Sequence, residues 1–176
     1  MIEVKGIKEV IGNLNKYSQT ILRQIDSTLT EGANDIEARA KMLAPVDEGL
    51  MRNNIIANTS IPFDKIVTCN TFYAPYIEFG TGRKFEGNGR DSIAAEFRGK
   101  SPKGGSFDDF VKNMVDYIKR HGGFPANVKT PKQRESYARF VCIRIYKNGI
   151  KAQPFFFRAL DEVQPTIITD LKNIIK

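Results

Sequence analysis

Few residues in this chain have the types and spacing that chemistry at a single site requires. The sequence contains one histidine, His121, and two cysteines, Cys69 and Cys142. Zinc sites draw their ligands from closely spaced Cys and His residues, and no Cys-x-x-Cys pair is present. Each cysteine lies in an apolar run, which predicts a reduced thiol in the core. His121 precedes two glycines, and this position predicts a cation at a helix C-terminus.

The carboxylates are no better placed for catalysis. Three acidic pairs are adjacent in sequence, which on helices and turns makes them solvated or capping groups: Asp47/Glu48, Asp108/Asp109 and Asp161/Glu162. A metal-dependent nuclease needs acidic residues and a lysine that converge from different strands, and the nearest imitation is Asp64, Lys65 and Glu78. Asp64 falls in a predicted hairpin turn, and one histidine cannot supply a Ser/His/Asp set. The sequence therefore predicts a protein without catalytic residues, metal or cofactor.

Composition favours a globular chain with one domain. The chain has 176 residues, 41% of them hydrophobic, which is enough to bury a core. No apolar run reaches the roughly 18 residues of a membrane span, and no signal-peptide pattern is present, so we expect synthesis in a host cytoplasm and no membrane partner. The formal net charge of +7 indicates an acidic partner or contact with nucleic acid.

The hydrophobic pattern predicts a long helix followed by a hairpin. Apolar residues recur every three or four positions from Ile7 to Leu43, and Pro45 ends the segment. Gly32 lies inside this helix and could bend or split it. Residues 55–61 and 66–72 are rich in β-branched residues and are separated by the turn 62–65, which predicts two antiparallel strands.

Residues 73–176 read mainly as helix. Pro75 permits a helical turn over 73–79, and the glycine-rich residues 82–105 predict a long surface loop. Ser106 and Thr130-Pro131 predict two helix starts, with a strand over 140–146 as the alternative within the second. A last helix from about Phe155 should kink or divide near Pro165. We therefore predict an α+β fold: a long N-terminal helix packed on a β-hairpin or small antiparallel sheet, a mostly helical insertion over 83–147, and a C-terminal helix.

More apolar surface is predicted than one small domain can cover. The stripe of the first helix exceeds what one hairpin can bury, and Phe155-Phe156-Phe157 cannot all face one core. Head-to-tail contacts in a closed ring would cover both faces of each subunit. The residues alone therefore indicate assembly.

Three motifs in fixed order carry a family resemblance. They are Ala-Pro-Val-Asp-x-Gly-x-x-Arg-Asn from Ala44, Tyr-Ala-Pro-Tyr-Ile-Glu-Phe-Gly-Thr from Tyr73, and Gln-Pro-Phe-Phe-x-x-Ala-Leu from Gln153. With the long helix and the hairpin, this order resembles the tailed-phage neck or tail-completion family, the minor tail component proteins related to lambda tail protein Z. The likeness covers residues 5–82 and 148–175. The family's turn usually carries Thr where this chain has Glu48.

The resemblance implies a structural virion protein of the head–tail junction. It implies a homo-oligomeric ring, hexameric first and dodecameric second, between the head-closure connector and the tail terminator or tail tube, with genomic DNA in the bore. A tail terminator and a basic DNA-binding protein are the alternatives. The residues that it places at structural or interface positions are Pro45, Asp47, Gly49, Leu50, Arg52, Tyr73, Tyr76, Glu78, Phe79, Gly80, Pro154, Phe155 and Phe156. For Arg52 and Glu78, an intramolecular salt bridge and an intersubunit contact stay open.

A second group of residues is predicted from charge alone. The loop after the second motif carries cations that would contact DNA phosphates or a neighbouring subunit. They are Arg83, Lys84, Arg90, Arg98, Lys100 and Lys103.

Overall fold

The computed structural model describes residues 7–98 and 106–175 of the chain. It confirms the predicted α+β class. The elements are α1 (Ile7–Leu43), α2 (Leu50–Asn53), β1 (Ile55–Ile61), β2 (Asp64–Cys69), α3 (Ala74–Phe79), a 3₁₀ turn (Gly82–Lys84), α4 (Asp91–Ala94), α5 (Phe107–Arg120), α6 (Pro131–Asn148) and α7 (Phe156–Ile175). Lys100 and Lys103, two of the cations predicted to contact DNA or a neighbour, lie outside the described residues.

The chain forms two compact units. Unit 1 comprises Met1–Ala44, Arg52–Cys69 and Phe156–Lys176, and unit 2 comprises Pro45–Met51 and Asn70–Phe155. The hairpin and the longest helices therefore belong to unit 1, while the first two motif turns and the predicted insertion 83–147 belong to unit 2.

In unit 1, α1 is a single helix that packs along α7. Gly32 neither splits nor ends α1. Its lack of a side chain serves the packing, because a Cβ added there would overlap with the Ile167 side chain of α7. α7 continues through the exposed Pro165, so the predicted division of this helix is wrong. Packing of α7 against α1 offsets the free-energy cost of the backbone hydrogen bond that Pro165 cannot donate.

The hairpin is held on α1 through two carboxylates. Asp26 accepts the N–H of Phe63 at 2.7 Å and pairs with Lys65 Nζ at 2.8 Å, which lowers the pKa of Asp26. The Lys65 side chain is only 5% exposed, and it also donates to the carbonyls of Thr59 and Ile61. The buried ammonium group of Lys65 thus fixes the hairpin turn by contacting one carboxylate and two backbone carbonyls.

The second carboxylate acts on the first strand. Glu37 pairs with Lys41 and accepts the N–H of Ala57 in β1 at 2.6 Å, and these contacts lower its pKa. A side chain of α1 therefore accepts a backbone hydrogen bond from β1.

The two strands pair in antiparallel register, with Ile55 opposite Cys69 and Ile61 opposite Asp64. β2 begins two residues before its predicted start, because Pro62-Phe63 alone makes the turn, with Phe63 at φ 62°. It ends at Cys69, three residues before its predicted end. Ile56 and Ile66 lie on the exposed face of the hairpin, 47% and 46% exposed.

Unit 2 contains the α5–α6 pair, and both helices begin at capping boxes. Ser106 and Asp109 bond each other reciprocally at the start of α5, as Thr130 and Gln133 do at the start of α6. Residues 140–146 are helical, and α6 ends at Gly149 with φ 80°, so the strand alternative is wrong. Val111, Ala138 and Cys142 form the centre of this pair. Burial raises the pKa of the Cys142 thiol, as a core cysteine requires.

Candidate assembly interface

The second and third motifs meet in unit 2, and Glu78 lies at their junction. Glu78 is 3% exposed, and its Oε2 accepts the N–H of Phe155 at 2.8 Å. The N–H of Gln153 donates to the carbonyl of Ile77 at 2.8 Å. A buried carboxylate thus fixes the chain immediately before α7 begins, and Phe155 itself is fully buried. Glu78 therefore contacts the third motif through the backbone of Phe155, and its predicted intersubunit contact stays a prediction.

The next residues continue this pairing. Thr81 donates its N–H to the carbonyl of Ile150 at 2.9 Å, and its Oγ1 accepts the N–H of Ile150 at 2.8 Å. Gly80 has φ 72°, and a Cβ there would lie 2.7 Å from the Ala152 nitrogen. Glycine is required at this point both by the backbone conformation and by the space.

Arg52 belongs to unit 1, whereas Glu78 belongs to unit 2. The side chain of Arg52 is exposed, and it forms no ion pair with another residue in the part of the chain that the structure describes. The intersubunit role of Arg52 stays a prediction.

The first motif turn is tied to the end of α5. Arg120 donates from Nε and Nη2 to the two carboxylate oxygens of Asp47 at 3.1 and 3.0 Å, and its Nη1 lies 3.2 Å from Glu48. The hydrogen bonds with Asp47 raise the pKa of the Arg120 guanidinium. His121 stacks on Tyr117 with ring centroids 4.2 Å apart, and its Nε2 lies 3.6 Å from Asp47. The acidic turn, predicted as solvated or capping, is exposed and is also paired with the end of α5.

The sequence did not predict the pairing of Asp47 with Arg120, because the two residues lie 73 positions apart. Gly49 takes φ 80°, as the predicted turn requires. Leu50 follows it with 56% of its surface exposed. The turn therefore presents an apolar side chain to solvent while its acidic residues bind α5.

All three motifs border one groove in unit 2. Its volume is about 770 Å³, and apolar side chains of α5 and α6 are among the residues that line it. Its lining residues include Pro45, Leu50, Tyr73, Ile77, Met114, Tyr117, Val141, Ile145, Ile150 and Gln153. The sequence predicted these motifs to change chain direction; the structure also brings them around an apolar groove within unit 2.

The part of the predicted loop that the structure describes is held by aromatic packing. The ring of Phe97 stacks 6.1 Å from that of Phe79, which is 2% exposed, and lies edge-on to Tyr76 at 6.2 Å. The N–H of Glu86 donates to the Phe79 carbonyl at 2.7 Å. Residues 82–98 therefore contain short helical turns that pack on the second motif. The sequence predicted only a loop here, because the glycines of this stretch are typical of loops.

The predicted basic residues in this stretch differ in exposure. Arg83, Lys84 and Arg98 are exposed, and Arg98 lies over the Phe85 ring at 5.6 Å, whereas Arg90 is half-buried. Unit 2 as a whole carries 16 Lys and Arg residues against 10 Asp and Glu residues, a formal net charge of +6. The positive charge of the chain is thus concentrated in the unit that contains the first two motif turns.

The remaining motif residues divide between core and partial burial. Tyr73, Pro154 and Phe156 are half-buried, and the ring of Phe156 meets that of Phe157 edge-on at 6.0 Å. Among the described residues no group of three or more His, Cys, Asp or Glu could hold a metal ion. No helix within the described ranges is long and apolar enough to cross a membrane.

A comparison with protein families supports the resemblance. Residues 8–80 match the family model HK97-gp10_like, described as "Bacteriophage HK97-gp10, putative tail-component". The match covers α1 from Lys8, the hairpin, the first motif and the second motif as far as Gly80, less than half of the chain. The predicted likeness to tailed-phage neck and tail components is confirmed over this range. Neither the comparison with curated proteins nor that with solved structures gives a match.

The class of protein indicated by this match is a structural tail component of a bacteriophage. Such a protein resides in the virion and contacts other virion proteins.

Proposed function

We propose that the chain is a structural virion protein of the phage head–tail junction, where it forms a neck or tail-completion ring. The ring joins the head-closure connector to the tail terminator or tail tube, and DNA passes through its bore. The family match to a tail component supports the virion location. The observation that carries the proposal is the exposure of large apolar side chains on both units.

In unit 1 the exposed apolar groups lie on α1 and on the outer face of the hairpin. Tyr17 and Met42 of α1 are 64% and 70% exposed, and Phe63 at the hairpin turn is 50% exposed. A two-stranded hairpin also leaves both of its edges without a strand partner among the described residues. Such edges and apolar faces are the surfaces that subunit contacts cover.

In unit 2 the exposed apolar residues surround the motifs. Leu50 borders the groove, and Phe72 precedes the second motif with 73% of its surface exposed. A closed ring would bring a different surface of the next copy onto each of these faces. A hexamer matches a sixfold tail best, and a dodecamer is the second choice.

The experiment for this proposal combines mass photometry of the purified chain with electron microscopy of particles. Rings, or a monomer that joins particles only with its connector, are the expected results. A chain that stays monomeric and never joins phage particles would refute the proposal. In particles, density next to the connector indicates a neck ring, and density at the end of the tail tube indicates the alternative of a tail terminator.

The charge of unit 2 supports one further candidate, a basic DNA-binding protein. Gel shifts across a salt series test it with the exposed Arg83, Lys84 and Arg98 as variants. Specific binding with a steep salt slope favours this candidate, and absence of binding at low salt removes it.

A further inference from the structure

Helix α6 carries apolar side chains on two opposite sides. Its inner side buries Ala138 and Cys142 completely against α5. Its outer side presents Phe140, Ile143 and Tyr146, which are 55%, 40% and 84% exposed. A helix of a protein that functions alone places polar residues on its outer side, and α5 follows that rule more closely. The outer side of α6 therefore has the composition of a surface that another molecule covers.

Cations accompany these apolar groups without acidic neighbours on the same helix face. The guanidinium of Arg144 lies over the Phe140 ring, 5.1 Å from its centroid, and Lys147 is exposed one turn after Ile143. No acidic residue occurs between Glu135 and Asp161. Neither Arg144 nor Lys147 forms an ion pair with a residue in the described part of the chain. Arg139, by contrast, is paired with Asp108 at 2.8 Å.

The apolar and basic side chains on the outer side of α6 distinguish among three possible partners: DNA, a second copy of the chain and a different protein. Phosphate contacts of DNA need cations but no exposed Phe, Ile and Tyr beside them. A second copy is disfavoured because neither unit is acidic overall: unit 2 has a net charge of +6, and unit 1 has 11 basic residues against 10 acidic ones. Aromatic residues and arginine around an apolar centre are typical of protein interfaces, and free cations select an acidic partner.

We propose that the outer face of α6, formed by Phe140, Ile143, Tyr146, Arg144 and Lys147, docks on an acidic surface of a different protein. This inference rests on the proposed function, since the neighbour in question is another protein of the virion. The apolar side chains supply the buried centre of the contact. Arg144 and Lys147 supply its charged border and set its selectivity for acidic surfaces.

Photo-crosslinking in assembled particles tests the proposal. Benzoylphenylalanine replaces Tyr146 in the chain encoded by the phage, and in a control it replaces Tyr17 of α1, which is also exposed. Purified particles are irradiated, and the adducts are identified by mass spectrometry. We expect the label at position 146 to join one other virion protein at a segment rich in Asp and Glu, and the label at position 17 not to join that segment.

Charge reversal supplies the matched comparison. Arg144→Glu with Lys147→Glu should lower the yield of the position-146 adduct about tenfold or more. Lys16→Glu with Lys172→Glu changes the net charge equally at exposed positions of unit 1 and should leave the yield within about twofold.

Each other result counts against the inference. Adducts at position 146 with a second copy of the chain or with DNA, or no adduct in particles that contain the chain, would overturn it while leaving the ring intact. Equal effects of the two charge reversals would also overturn it. Particles that lack the chain altogether would refute the proposed function, and the inference would fall with it.

Discussion

Replacing Glu78 with alanine removes the buried carboxylate that joins the second motif to the third. Its Oε2 accepts the N–H of Phe155 at 2.8 Å, and both residues are almost entirely buried. Water cannot take over the acceptor role without opening the junction. The substitution therefore acts on the segment that leads into α7 rather than on a surface contact.

The size of the effect follows from burial and charge. A hydrogen bond to a charged group contributes about 1.5–3 kcal/mol, and a buried donor that loses its acceptor adds a further desolvation cost. We expect Glu78→Ala to lower the free energy of unfolding by about 3 kcal/mol. For a chain of this size, that corresponds to a decrease in Tm of roughly 6–12 °C.

Thermal and urea unfolding followed by circular dichroism measure this effect. Glu78→Gln keeps an amide oxygen in place and should lose about half as much stability. Glu96→Ala changes an exposed glutamate and should remain within about 0.5 kcal/mol of the wild type. A Glu78→Ala variant as stable as Glu96→Ala would refute the assignment of Glu78 as the fixing residue of this junction.

Two further predictions concern unit 1. Gly32→Ala should destabilise the chain by about 1–3 kcal/mol, because the added Cβ would overlap with Ile167. Gly12→Ala should stabilise α1 by about 1 kcal/mol, because no atom lies within 4 Å of the added Cβ. Tm measurements compare the two variants, and a stabilising Gly32→Ala would contradict the close approach of α7. The pKa values of Asp26 and Glu37 are lowered from 3.8 and 4.5, so their contribution to stability is complete above these values and is lost as the pH falls through the folded-state pKa values. Urea unfolding from pH 7 to pH 3 should show this loss, and Asp26→Asn with Glu37→Gln should reduce the pH dependence; an unchanged pH dependence would contradict it.

Local signals in the sequence predicted most of the elements. The caps Ser106 and Thr130 and the terminator Gly149 placed α5 and α6 correctly, because each supplies a hydrogen bond or a backbone conformation that is common at helix ends. The apolar period of α1 was equally reliable. The predicted division of the last helix at Pro165 was wrong, because the local rule about proline in helix interiors takes no account of the packing of α7 on α1.

The arrangement of the motifs was harder to predict. Glu78 and Phe155 are 77 residues apart, and Asp47 and Arg120 are 73 apart. No local pattern marks such partners, since a buried glutamate and an exposed one look alike in a single sequence. The residues of the site were therefore identified through the family resemblance, while their partners emerged only from the fold.

The count of chains in the assembled protein tests the central claim most directly. Mass photometry of the purified chain, alone and with its connector, distinguishes a 19.8 kDa monomer from a hexamer of about 119 kDa or a dodecamer of about 238 kDa. We expect a closed ring in at least one of these conditions, with the exposed faces of both units covered in its electron-microscopy map. A monomer under every condition, whose exposed apolar side chains stay in solvent even in particles, would contradict the account.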